Sequence, residues 1–420
     1  GTLHGTRLSE ASLRCPACAS LHPASPIPPV ASVILSAART PVGSFNGSLS
    51  SVSAPQLGAI AIKGALERAG VSADQLSEVV MGNVVTAGEG QAPARQAALA
   101  ADVPNSVPCM TINKVCGSGM KAVMLADQSI RAGDTEVVVA GGMENMSQAP
   151  FLLDKARTGY GYGNGTLIDS LFHDGLRDAY DGNAMGVAAD LCGETCNVPR
   201  DRQDAFSIES YTRAQASMTN GRFAQEIVPV TIKGRKGDTV VEQDEEPPRT
   251  NFDKIPQLRA VFSKEGTVTA ANASTINDGA AAMVVASEEW AEANGKTPMA
   301  RILATAQHSQ KPVEFTTAPI EAINKVLDKA GLTLEDIDLF EINEAFAVVA
   351  LAAQDALGIP HEKLNVRGGS VAVGHPIGAS GARILTTLLY AMEEAEARYG
   401  LAAICIGGGE ATAMIVERAG

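Results

Sequence analysis

The sequence predicts an α/β protein built from two versions of one unit, on three observations. KGALERAGVSADQLSEVVMGN at 63–83 is echoed by NKVLDKAGLTLEDIDLFEIN at 324–343. In each, a helical pattern stops at Ala-Gly, crosses a short acidic turn and enters an apolar strand. A strand end also repeats, VVVAGGME at 137–144 against AICIGGGE at 403–410. Finally, strand-like and helix-like segments alternate, which implies a mainly parallel sheet in each half, with functional loops at the carboxyl ends of its strands.

In chain order, residues 1–29 stand apart, rich in Ser, Ala and Pro, with Arg7 and Arg14 against Glu10 and with IPP at 27–29. They read as a transit-like or disordered leader. Their Cys15 and Cys18 form a CxxC with no second pair or histidine at zinc-ligand spacing, so no metal role is assigned. The first half runs over 30–146 and is completed by 258–290; 291–420 forms the second. Between them, 147–257 is an excursion whose YGYGNG and KGRKGD read as surface loop. Cys192 and Cys196, four apart in a helical pattern after Met185, read as packing residues. At 420 residues and 45% hydrophobic content the chain is ample for a two-part core. A net charge of −14 argues against nucleic acid as a partner, and no run of about 20 apolar residues is present to span a membrane.

Three segments carry chemistry. In NKVCGSGMK at 113–121, Cys116 sits between an apolar strand at 107–112 and the glycines that open a helix. A helix start favours negative charge, so the thiol is expected to ionise readily and act as nucleophile. His375, between Gly374 and Pro376 in GGSVAVGHPIGASGAR at 368–383, is set on a turn that aims it into a cleft, and an imidazole suits a base for that thiol. Cys405 ends the apolar LAAICI directly before three glycines and supplies a second proton carrier. Ala69 aligns with Ala330, an offset of 261; applied to Cys116 it reaches 377, beside His375. Nucleophile and base therefore occupy matching places in the two halves.

Together with INEAF at 342–346, these blocks resemble the thiolase family over about 33–417. The wording of VVVAGGMENMS at 137–147, GTVTAANAS at 266–274 and CIGGGEA is similar to the members that condense acetyl-CoA rather than those that cleave long-chain 3-ketoacyl-CoA. The resemblance implies a five-layer αβαβα fold with 147–257 covering coenzyme A. It implies that Cys116 takes the acyl group as a thioester and that Cys405 removes the α-proton of the second acetyl-CoA. Asn343 would orient a water that forms one oxyanion hole with His375, and the N–H groups of Cys116 and Gly407 would form the other. Glu344 would support the site rather than serve as its base. Coenzyme A would be held by Tyr211, Arg249, Thr250, Asn251, Lys254 and Ser274, with Met185, Phe315, Ala345 and Phe346 lining the pantetheine and acyl pocket. Ala184 departs from the pattern, since related sequences often carry histidine there. Phe315 is similar to the potassium-activated mitochondrial members, which implies a potassium ion on oxygens of Tyr211, Ala270, Ala271, Ala273 and Val371. A homotetramer and a mitochondrial location, with a cytoplasmic one as alternative, are implied in the same way. The competing readings are a 3-ketoacyl-CoA thiolase with a deeper acyl pocket, a decarboxylating ketosynthase, for which the Cys405 block lacks a second histidine, and a non-enzymatic lipid-binding or scaffold protein, which would leave all three reactive residues idle.

Overall fold

The computed structural model describes residues 1–2 and 31–419. The leader at 1–29, with Cys15 and Cys18, therefore lies outside the described residues apart from its first two. Nine strands form the body of one sheet: β1 Ser32–Arg39, β2 Glu78–Gly82, β3 Cys109–Ile112, β4 Val137–Asn145, β5 Asn277–Ser287, β6 Ala300–Ser309, β7 Leu339–Ile342, β8 Tyr399–Ile406 and β9 Glu410–Arg418. Their order is β7-β8-β9-β6-β1-β5-β4-β2-β3, with the two-residue strand Gly43–Ser44 added on β5. The order is palindromic by half. In each half a strand, an antiparallel partner and a parallel run follow one another outward from the centre, the run being β4-β2-β3 in the first half and β8-β7 in the second, and at the centre β1 and β6 meet through only two residue pairs.

The expected mainly parallel sheet is corrected here to a mixed one. β7–β8, β4–β2 and β2–β3 run parallel. β1–β5, β5–β4, β8–β9, β9–β6 and β1–β6 run antiparallel. In the second half the glycines after β8 turn the chain straight back into β9, and in the first the same reversal is spread over 146–276. Strands covered on both faces read as unbroken apolar runs whichever way they are paired, so composition did not separate the two cases.

Period-two alternation sorts the sheet residues onto layers. Val79, Met81, Val137 and Val139 pack outward with helices α1 (Ala54–Ala69) and α2 (Pro93–Ala100). Their neighbours Val80, Val138 and Ala140, with Ile302, Ala402 and Ile404 of the second half, pack on α3 (Ser118–Ala132) and on the long helix Ile377–Glu394. Phe340, Leu401, Ala403 and Cys405 face the other way, toward Ala318–Ala330 and Ala347–Leu357. Five layers result, α-β-α-β-α. In the excursion, α4 (Met185–Thr195) and α5 (Arg200–Thr219) join this last cluster, and α4 holds Cys192 Sγ 3.8 Å from Cys196 Sγ. The three long helices of the second half are numbered α6 (Ala318–Ala330), α7 (Ala347–Leu357) and α8 (Ile377–Glu394).

The duplication holds at atomic detail. α1 and α6 end alike, Gly70 N donating to Glu67 O and Val71 N to Leu66 O, as Gly331 N does to Asp328 O and Leu332 N to Leu327 O, the paired bonds of a glycine-capped helix end. In the central layer α3 and α8 touch through backbone. A Cβ on Gly119 would lie 2.7 Å from Ala382 N, and one on Gly381 would lie 2.4 Å from Met120 N. That close crossing brings the two helix starts to one place, and Cys116 and His375 each stand two residues before them.

Candidate active site

Cys116 follows β3 through a tight turn. Asn113 Oδ1 accepts from Val115 N at 2.9 Å, and Ser118 Oγ accepts from Lys114 N at 2.8 Å and donates to Val115 O at 2.7 Å. Val115 is held in the left-handed region, φ 45°, an unusual conformation for a β-branched residue. Lys114 Nζ pairs with Glu410 of the other half. The Gly407 N–H points at the Cys116 sulfur, and the thiol nonetheless stands pushed up to about 11, burial outweighing that hydrogen bond. The expected easy ionisation is thus corrected: enclosure by protein costs the thiolate more than the helix start returns.

His375 sits on the matching turn, held by Asn277. The His375 N–H donates to Asn277 Oδ1 at 2.9 Å, while Asn277 Nδ2 donates to Gly43 O at 3.0 Å. Gly374 before it has φ 109°, and a Cβ there would strike the Asn277 side chain at 2.5 Å. Ser380 Oγ lies 2.6 Å from His375 Nδ1 and donates to Pro376 O at 2.9 Å. Since a hydroxyl has one proton to give, Nδ1 is the donor in that pair and Nε2 keeps its lone pair for the cavity. Burial, then the Arg383 charge, lower the imidazole to about 3, so it stands neutral. The two side chains rest as a neutral thiol and a neutral imidazole.

Glu144 anchors the second turn from the first half. Fully buried, it accepts from Gly378 N at 2.8 Å and from Val84 N and Val85 N at 3.1 Å. Cys405 is 1% exposed, directly behind the wall formed by Gly407. Burial, then the nearby Cys116, push its thiol well up. Asn343 is equally buried. Glu344 accepts from Asn365 Nδ2 and Ser210 Oγ at 2.7 Å and from Val371 N at 3.2 Å, bonds that tie it into the surrounding structure.

These groups surround a cavity of about 530 Å³. Of the residues named from sequence, Cys116, His375, Gly407, Met185, Arg249, Ser274, Phe315, Ala345, Phe346, Ala270 and Ala273 line it. Cys405, Asn343, Ala271 and Val371 are buried rather than at the wall. Tyr211 is buried against Phe252, ring centres 6.5 Å apart, and is hydrogen-bonded to Thr250; Asn251 and Lys254 are exposed. Ala184 lies on the wall, where its methyl adds no polar group. Sequence reading missed the apolar rim, Phe45, Phe172 and Val261, at 47, 43 and 57% exposure. Phe45, alone between Gly-Ser and Asn-Gly-Ser, carried a signal; Phe172, beside Leu171, did not stand out. It also missed Asn277 and Ser380, whose work depends on partners about 100 and 5 residues away.

Among the described residues no cluster of three His, Cys, Asp or Glu could hold a metal ion. A cation bound by carbonyls is a separate case. The carbonyl oxygens of Ala270, Ala271, Ala273 and Val371 accept no hydrogen bond from the described residues, which leaves their lone pairs free for a cation of low charge density.

Residues 32–289 match the thiolase N-terminal domain and 296–418 the thiolase C-terminal domain, so the chain belongs to the thiolase family. It is 51% identical over 387 residues to an acetyl-CoA acetyltransferase of Schizosaccharomyces pombe, covering 92% of this chain and 98% of that one. It is 52% identical to the acetyl-CoA acetyltransferase of Cupriavidus necator, covering 92% and 99%. The mitochondrial acetyl-CoA acetyltransferase of Homo sapiens is 50% identical, with 92% and 90% covered.

Proposed function

We propose that the protein is an acyltransferase that condenses two acetyl-CoA into acetoacetyl-CoA and CoA and runs the thiolysis in reverse. The observation that carries this reading is the convergence of Cys116, His375 and the Gly407 N–H on one cavity in a chain half identical to acetyl-CoA acetyltransferases. His375 Nε2 takes the thiol proton as Cys116 Sγ attacks the thioester carbonyl. A thiol at about 11 beside a neutral imidazole requires that transfer to accompany the attack rather than precede it. The N–H groups of Cys116 and Gly407 hold the tetrahedral oxyanion, and coenzyme A leaves with the proton from His375. Cys405 first passes its thiol proton to His375, and its thiolate removes the α-proton of the second acetyl-CoA, whose carbanion attacks the acetyl-Cys116 carbonyl and expels the Cys116 thiolate, which takes the proton back from His375. His375, carrying that proton on Nε2, and a water on Asn343 donate to the enolate oxygen meanwhile.

The same proposal places coenzyme A along Arg249, Ser274, Met185, Phe315, Ala345 and Phe346, with Tyr211 and Thr250 bracing its loop and Asn251 and Lys254 reaching it from the surface. It gives the segment 147–257 as the cover and 30–146 with 258–290, and 291–420, as the two halves. Potassium is assigned to the free carbonyls of Ala270, Ala271, Ala273 and Val371 beside Tyr211, where it would order the coenzyme loop. A mitochondrial tetramer completes the reading. Intact mass after incubation with acetyl-CoA should show one acetyl group on Cys116, and Cys405→Ala should keep that acetylation while losing condensation. Acetyl elsewhere, or none, would sink the proposal. Thiolysis of acetoacetyl-CoA against longer 3-ketoacyl-CoA, in potassium and in sodium chloride, tests chain length and ion together.

A further inference from the structure

Asn343, Ser370 and Arg383 form a hydrogen-bonded line behind the cavity. Ser370 Oγ donates to Asn343 Oδ1 at 2.6 Å, and Arg383 Nη2 donates to Ser370 Oγ at 2.6 Å. All three are buried, at 1, 0 and 2% exposure. A guanidinium can only donate and a hydroxyl has one proton, so Arg383 forces Ser370 to point its proton at Asn343. Ser370 in turn forces Oδ1 to face it, and the amide Nδ2 to face the other way. That Nδ2 has no hydrogen-bond partner among the described residues. A buried donor left alone costs about 1–3 kcal/mol, and this one stands two residues before Ala345 of the cavity wall.

We propose that Ser370 and Arg383 are positioning residues that lock the Asn343 amide, so that an N–H rather than the carbonyl oxygen is presented to the water and the enolate oxygen beyond it. A turned amide would set partial negative charge against developing negative charge, converting stabilisation into repulsion. Glu341, 2% exposed on β7, is the first of the acidic groups that offset the burial of Arg383; burial pushes its own carboxyl up to about 8 and holds the guanidinium below its ordinary value. The inference rests on the role given to Asn343 in the reaction.

The test compares steady-state thiolysis by the wild type, Asn343→Ala, Ser370→Ala and the double variant, with thermal melting of each. Each single change is expected to lower kcat about 10- to 100-fold with KM within about two-fold. The double should be no slower than Asn343→Ala, because a relay acts only through its end. Ser370→Thr, which keeps the hydroxyl, should recover most of the rate. Losses that multiply in the double variant, a change in KM alone, or an unchanged kcat in Ser370→Ala would overturn the relay. If Ser370→Ala melts below the assay temperature, the near-isosteric Ser370→Cys, a weak donor, takes its place with the same expected loss in kcat. A silent Asn343→Ala in an enzyme that still acetylates Cys116 would overturn the role of Asn343 and the relay with it, whereas a wild type that forms no acetyl-enzyme overturns the underlying function.

Discussion

The turn that carries Cys116 and the turn that carries His375 occupy the same place in the two halves yet are held in different ways. Each stands two residues before a central helix. Each is braced by a serine, Ser118 in one and Ser380 in the other, and each is gripped by a glutamate from the opposite half. The glutamates differ. Glu144 is fully buried on backbone N–H groups, whereas Glu410 forms a partly exposed ion pair with Lys114. The serines differ too, for Ser118 bonds only backbone while Ser380 bonds the reactive ring itself. Duplication supplied two facing helix starts, and the side chains around them set a thiol on one and an imidazole on the other, the pair to which the proposed reaction gives the parts of nucleophile and base.

The largest expected effect separates these two roles. Cys116→Ala should yield no acetyl-enzyme at all, while His375→Ala should keep the nucleophile and lose about 10²- to 10⁴-fold in kcat, as removal of a general base does. Near-wild-type turnover by His375→Ala would break the pairing. The second effect concerns ionisation. With the thiol raised to about 11, the rate at which iodoacetamide inactivates the free enzyme through Cys116 should keep climbing from pH 7 to 10, about tenfold per unit if only the thiolate reacts. A plateau by pH 8 would mean that the helix start prevails over burial.

Smaller changes probe the serines and the strained turn. Ser380→Ala removes what holds the imidazole tautomer and should lower kcat about tenfold with little change in melting temperature, a share of the usual general-base contribution. Ser118→Ala, which bonds no reactive group, should act mainly on stability; equal kinetic losses in both would deny Ser380 its special part. Last, Val115→Gly should relieve a left-handed β-branched residue and raise stability by about 1 kcal/mol, the strain released less the entropy of glycine. Its kcat should fall as Cys116 loosens, and a lower melting temperature would show that the turn stores no strain.

The sequence by itself determined the duplication and the helix stops at Ala69 and Ala330, and it picked out Cys116 and His375, which the fold brings to one cavity, because these depend on local periodicity, turn chemistry and rare reactive side chains. It also predicted much of the cavity wall, through Met185, Phe315, Ala345 and Phe346. It misjudged the pairing of the strands, since burial on both faces erases the alternation that direction would otherwise leave. It expected an easily ionised thiol where burial raises that thiol instead, for a related reason: the helix start is visible in the residues after Cys116, but the burial of the sulfur exists only in the folded chain. Only the tertiary structure decided that balance, along with the clasp of Asn277 on His375 and the Arg383–Ser370–Asn343 line. Hydrogen-bond direction and desolvation belong to atoms that meet only once the chain has closed around them.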